Sequence, residues 1–196
     1  METIIGAILT QNTAWSNASK ALGNLRKAGV MNMSSIRTLS LDELAELIRP
    51  SGYFNEKAKK LRAIAAYLDD YGDDIGTWGT RDPKELREEL LRVYGIGPET
   101  ADDIVLYVAK LPSFVIDSYT RRIVDRIGLT PEGSSYESYQ AFFENNLPNN
   151  PELFNEYHAL LDAHAKFACT KSNPLCHNCV LADMCKYGYS SEPRTP

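Results

Sequence analysis

The sequence predicts an all-α protein, and three observations carry that prediction. Apolar residues recur at helical spacing in most segments, as in Ala58, Leu61, Ile64, Ala65 and Leu68. Polar or Gly/Pro-bearing breaks separate the segments, among them Thr10-Gln11-Asn12-Thr13, Pro50-Ser51-Gly52, Gly95-Ile96-Gly97 and Pro148-Asn149-Asn150-Pro151. No stretch alternates like a strand for longer than Phe114 to Ile116.

Met1 to Ala28 reads as two helices, with Ile4, Ile5, Ile8 and Leu9 feeding the core of the first and Trp15 opening the second. Ser40 suits the N-cap of a short helix over Leu41 to Ile48, which Pro50 ends. Phe54 to Tyr71 forms a long amphipathic helix, followed by a Gly-rich connector from Gly72 to Asp82. Lys84 to Arg92 is helical, with Leu86, Leu90 and Leu91 on one face. After the two glycines, Pro98 fits a first helical position, and Ala101, Ile104, Val105 and Val108 make another stripe. Further helices are expected at about 118–127, 135–146 and 151–167, the last with Phe154, Tyr157, Leu160, Leu161 and His164 at helical spacing. His158 and His164 read as packing or hydrogen-bonding residues. The whole divides into two helical lobes, 1–112 and 113–196.

A chain of 196 residues buries roughly 70% of its unfolded surface, ample for such lobes. No apolar run is long enough for a membrane span, and no signal peptide is visible, so the expectation is a cytoplasmic protein with no membrane partner. The net charge of −5 supplies no global attraction to a polyanion. Any phosphate contact must come from local features. Lys57, Lys59, Lys60 and Arg62 form one basic cluster, and Arg121, Arg122 and Arg126 another. The Gly95-Ile96-Gly97 turn can present backbone N–H groups, and the missing Cβ atoms let a phosphodiester come close.

All four cysteines lie in one run, Cys169-x6-Cys176-x2-Cys179-x5-Cys185, where disulfides are not expected without a secretory signal. Four thiolates this close imply a metal centre. Structural zinc commonly uses two short Cys-x-x-Cys knuckles, and only Cys176/Cys179 qualifies, although zinc stays open as an alternative. The longer loops suit an iron–sulfur cubane with one thiolate per iron.

Tyr94-Gly95-Ile96-Gly97-Pro98-Glu99-Thr100-Ala101, with Val115-Ile116-Asp117-Ser118-Tyr119 after it, resembles the helix-hairpin-helix, Gly/Pro-rich loop and aspartate signature of the endonuclease III superfamily of DNA glycosylases. The likeness runs from about Ile4 to Cys185, and it implies a further helix ahead of the position of Met1. It implies the helix-hairpin-helix glycosylase fold, double-stranded DNA with a damaged base as partner, a monomer, and a [4Fe–4S] cluster on Cys169, Cys176, Cys179 and Cys185. The duplex would lie across the cleft between the lobes. Gly95, Ile96 and Gly97 would bind its backbone together with Lys57, and Gln11 would fill the space the extruded nucleotide leaves. Trp15 would line the base pocket, and Tyr53 in Arg49-Pro50-Ser51-Gly52-Tyr53-Phe54 would wedge opposite the orphaned base.

Asp117 is the expected catalytic carboxylate, stabilising positive charge on the sugar and activating a nucleophile. Glu99 stands where endonuclease III proper has an imine-forming lysine, and a carboxylate cannot form an imine. The expectation is a monofunctional glycosylase. Leu-Thr-Gln-Asn-Thr and Arg-Pro-Ser-Gly-Tyr-Phe-Asn-Glu-Lys-Ala-Lys are most similar to the 3-methyladenine glycosylase III branch, which excises alkylated purines. A pocket with Trp15 and acidic neighbours such as Glu99 and Asp102 would suit a cationic base. The alternatives are an oxidised-pyrimidine or mismatch glycosylase, possibly with lyase activity, and a non-catalytic iron–sulfur DNA-binding module.

Overall fold

The computed structural model describes residues 1–191, with side chains through Gly188. Among the described residues there is no β-strand, as expected, and none of the helices is long and apolar enough to cross a membrane. The chain forms two compact units, which meet in sequence at Leu111 and Pro112.

The first unit holds α1 (Glu2–Leu9), α2 (Trp15–Lys27), α3 (Met33–Thr38), α4 (Leu41–Ile48), α5 (Phe54–Asp69), α6 (Pro83–Leu91) and α7 (Pro98–Asp103). Its core is built around α1, where Ile4, Ile5, Ile8 and Leu9 are all fully buried, and around the α5 stripe of Ala58, Leu61, Ile64, Ala65 and Leu68. Fully burying a Leu or Ile is worth roughly 1.5–3 kcal/mol, so each of these two stripes contributes several kcal/mol. Ser40 caps α4 in a reciprocal box with Glu43, and Asp82 caps α6 by accepting from the Lys84 and Glu85 amides. Each cap is worth about 1 kcal/mol.

Helix α3 and a turn in the connector are among the elements that the sequence reading missed. Helix α3 starts where Asn32 Oδ1 accepts the Ser35 N–H at 2.8 Å. The Gly72–Asp82 connector carries a 3-10 turn, Trp78–Thr80, and Trp78 is wholly buried beside the rings of Tyr67 and Tyr71. The stripe predicted after Pro98 is present, but α7 passes into a π-helical turn at Ile104–Val108, closed by the Ala109 N–H on the Ile104 carbonyl.

The second unit holds α8 (Ser118–Ile127), α9 (Tyr136–Asn146), α10 (Pro151–Phe167) and α11 (Lys186–Ser191). Phe114 anchors it: its ring stacks on Phe143 at 4.0 Å and meets Phe154 edge-on at 5.3 Å. The buried face of α10 differs from the expected one. Phe154 and Ala165 are buried and His158 is nearly so, whereas Leu160 is 60% exposed. The inward row is therefore 154, 158, 161 and 165, a regular helical spacing that runs through a histidine.

Candidate functional site

In the first unit, α6 and α7 form a helical hairpin around residues 92–97. Gly95 has φ +82°, a conformation only glycine adopts without cost, and a Cβ there would stand 2.2 Å from Lys60 Cγ. The absent side chain thus makes room for the protein's own lysine. Gly97 is different: nothing lies within 4 Å of where its Cβ would be, so its flank is open. Ile96 is buried and its N–H is already committed to the Val93 carbonyl at 3.1 Å. Of the three residues expected to offer backbone N–H groups to a phosphate, Ile96 thus has its amide engaged within the turn itself.

Gln11, at the end of α1, is strapped to the hairpin. Its Nε2 donates to Gly95 O at 3.1 Å and Thr100 Oγ1 at 2.9 Å, while its Oε1 accepts from Lys60 Nζ at 2.6 Å. Glu99 is exposed in the first turn of α7. Asp102, expected among the acidic neighbours of the base pocket, is fully buried and paired with Arg87 Nε at 2.8 Å and Nη2 at 3.1 Å. It ties α7 to α6 instead of facing a ligand.

Lys57 is also corrected. It is 2% exposed, and its Nζ donates to Leu9 O at 2.9 Å and Ser51 O at 2.7 Å. Burial, reinforced by the charge of Lys60, pulls its pKa down to about 8. Such an ammonium cross-links the end of α1 to the loop before α5 and is out of reach of a phosphate. The signal was present, since 57, 61, 64 and 68 share the inward face of α5.

Tyr53 stands just before α5 with φ +45° and is 73% exposed, while Arg49 covers the neighbouring Phe54 ring at 4.7 Å. Trp15 is 60% exposed and lines an open groove with Thr10, Glu2, Asp103 and Tyr107. The acidic groups around this indole are Glu2 and Asp103, not Glu99 or Asp102.

In the second unit, the extended run 114–116 is pinned by side chains the sequence reading had not singled out. The Phe114 N–H donates to Glu144 Oε1 at 3.0 Å, the Ile116 N–H to Tyr136 Oη at 3.1 Å, and Gln140 Nε2 to Phe114 O at 2.9 Å. This run delivers Asp117 to the N-cap of α8, where Oδ1 accepts the Thr120 N–H at 2.7 Å. His158 of α10 lies beside it, with Nε2 at 3.9 Å from Oδ2.

Cys169, Cys176, Cys179 and Cys185 line one small cavity, with His164 and Arg126 in its wall. Arg126 Nη1 donates to Cys169 Sγ at 3.2 Å, the Leu181 N–H donates to Cys179 Sγ at 3.4 Å, and His164 Nε2 lies 3.6 Å from Cys179 Sγ. Donors aimed at sulfur fit thiolate ligands of a cluster, whose charge they offset. Among the described residues, the four thiols line this cavity without being drawn together into a closed metal-holding group.

Comparison with known proteins gives the following. Residues 5–149 match the HhH-GPD superfamily base excision DNA repair protein family, and residues 169–185 match the iron–sulfur binding domain of endonuclease III. A Methanocaldococcus jannaschii protein named as a candidate DNA repair glycosylase is 41% identical, across 94% of this chain and 84% of its own. Endonuclease III of Sulfolobus acidocaldarius is 30% identical, across 94% of this chain and 81% of its own. The crystal structure of H. pylori 3-methyladenine DNA glycosylase bound to 1,N6-ethenoadenine superposes with a TM-score of 0.75 at 28% identity, covering 84% of each chain.

Proposed function

This chain belongs to the HhH-GPD superfamily of base excision DNA repair proteins, and from that premise we propose which base it releases and how. It is a DNA N-glycosylase of the endonuclease III family, with an iron–sulfur binding domain at 169–185.

We infer that it hydrolyses the N-glycosidic bond of an alkylated purine such as 3-methyladenine, flipped out of double-stranded DNA, and that it does so as a monomer without nicking the strand. The observation that carries this is Glu99, exposed in the first turn of α7 where endonuclease III proper has the lysine that attacks the sugar. A carboxylate cannot form the imine that leads to strand cleavage, so water must take the nucleophile's place. Asp117 is the group to receive that water's proton and to stabilise the oxocarbenium character as the base departs. An alkylated purine bears a positive charge on the nucleotide and leaves as a neutral base, so little general acid is needed. Trp15, exposed in a groove with Asp103 and Glu2, suits such a cation by stacking and by charge. The 28% identity to a 3-methyladenine glycosylase supports the same class.

The four cysteines would hold a [4Fe–4S] cluster, whose contribution is to fix the 169–185 loop. The test is a panel of duplexes carrying 3-methyladenine, thymine glycol or a G·T mismatch, with abasic sites then cleaved by alkali. Release from the first alone is expected, and release only from thymine glycol or the mismatch would move the chain to another branch. Borohydride trapping of a covalent DNA adduct would overturn the monofunctional assignment.

A further inference from the structure

Gln11, Lys60 and Gly95 form a connection whose polarity chemistry fixes. An ammonium only donates and a backbone carbonyl only accepts, so the lysine must meet Oε1 of Gln11 and the Gly95 carbonyl must meet Nε2. The lysine stem is equally constrained. It crosses Gly95 so closely that a Cβ there would stand 2.2, 2.6 and 2.9 Å from Lys60 Cγ, Cδ and Cε. Glycine at 95 therefore lets Lys60 carry its charge to the rim of the hairpin turn. There the charge rests on a neutral amide. Glu56, the carboxylate in the same turn of α5, is engaged by Lys59 Nζ at 2.6 Å and the Tyr94 hydroxyl at 3.0 Å. Lys60 is only half-buried, and an anionic phosphate oxygen is a stronger acceptor than a carboxamide.

We propose that Lys60 is a phosphate ligand held in reserve. In the free protein its ammonium rests on Gln11 Oε1; on duplex DNA it exchanges that acceptor for a phosphate oxygen, which removes one of the three hydrogen bonds strapping Gln11 to the hairpin and so favours its entry into the base stack. The phosphate contact stands on the geometry of Lys60 at the hairpin of a DNA glycosylase. The release step rests in addition on reading Gln11 as the residue that fills the vacated space.

Duplex binding measured by fluorescence anisotropy between about 50 and 200 mM salt tests both parts. Lys60→Met keeps the apolar stem on Gly95 and removes the charge. Its plot of log affinity against log salt should be shallower by about 0.9, so that it loses about 3.5-fold less affinity than the native protein over that range. Lys60→Arg should restore the slope. Gln11→Ala, which leaves the ammonium without its acceptor, should bind undamaged duplex a few-fold more tightly and lose the 2-aminopurine fluorescence rise that reports extrusion beside a lesion. A native slope in Lys60→Met, with an unchanged circular dichroism spectrum, overturns the phosphate contact; Lys60→Gln substitutes if the methionine variant folds poorly. Native extrusion and base release in Gln11→Ala would sink the stacking role of Gln11 and the exchange with it, while leaving the Lys60 contact standing.

Discussion

The Asp117 carboxylate is divided between two neighbours: Oδ1 takes the Thr120 N–H at 2.7 Å, and Oδ2 stands 3.9 Å from Nε2 of His158. One oxygen holds the helix and the other faces an imidazole. The capping role and the proposed catalytic role are thus compatible, and they can be separated. Asp117→Asn keeps an equally good cap, so its melting temperature should stay close to native while single-turnover base release falls at least about a hundredfold. Asp117→Ala should lose the same activity and about 1 kcal/mol of stability besides.

His158 gives that neighbourhood a pH signature. Burial lowers its pKa below the ordinary 6.5, more than the charges of Asp117 and Asp162 raise it, and Lys166 adds to the lowering. The unfolded chain therefore takes up a proton below about 6.5 that the folded one resists, and stability falls as pH drops through that window. Urea denaturation at pH 5.5 and 7.5 should show this loss in the native protein and less of it in His158→Gln.

Lys57→Met should destabilise the first unit without touching DNA affinity. Two carbonyls, Leu9 O and Ser51 O, lose their donor, at a cost of about 1–3 kcal/mol. The native lysine has its own pH dependence. With its pKa depressed from 10.5 to about 8, the folded state binds fewer protons than the unfolded between those values, so this group favours folding more as pH rises across them. Denaturation at pH 7.5 and 9.5 should show that gain in the native protein and not in the variant.

Asp102 and Arg87 predict a larger loss. Asp102 is fully buried, and the 2.8 Å bond to Arg87 Nε joins the two helices of the hairpin. Breaking such a buried pair is strongly destabilising, so Asp102→Ala should cost about 3 kcal/mol by urea denaturation. DNA binding should weaken in step, because the turn between α6 and α7 loses its brace.

Iron removal should act locally. With the cluster gone, the loop from Cys169 to Cys185 keeps few apolar contacts, since Leu175, Val180 and Met184 are exposed. Limited proteolysis after chelation should cut within 169–185 first, and Cys176→Ala should show the same pattern together with loss of the visible iron–sulfur absorption.

Much of this was legible in the chain. The cysteine run, the aspartate before α8 and the hairpin glycines are local: their spacing fixes what they can reach. What failed was the orientation of charged residues on helices whose faces are decided by packing. Lys57 and Lys60 are one turn apart and look alike in sequence, yet one is buried against α1 and the other reaches the hairpin. Asp102 follows the same logic on α7, whereas His158, read as a packing or hydrogen-bonding residue, does lie largely buried on α10. Glu144, Tyr136 and Gln140 are not visible as partners of 114–116 until the second unit folds, because the contacts span 20 to 30 positions.

Tyr53 is left-handed at φ +45° and places its ring almost wholly in solvent. That backbone costs a tyrosine about 1–2 kcal/mol that an asparagine would largely avoid. Tyr53→Asn should then be as robust as the native protein, or sturdier, and poorer at parting base pairs. A tyrosine held where its backbone costs stability is what the proposed wedge at this edge would require.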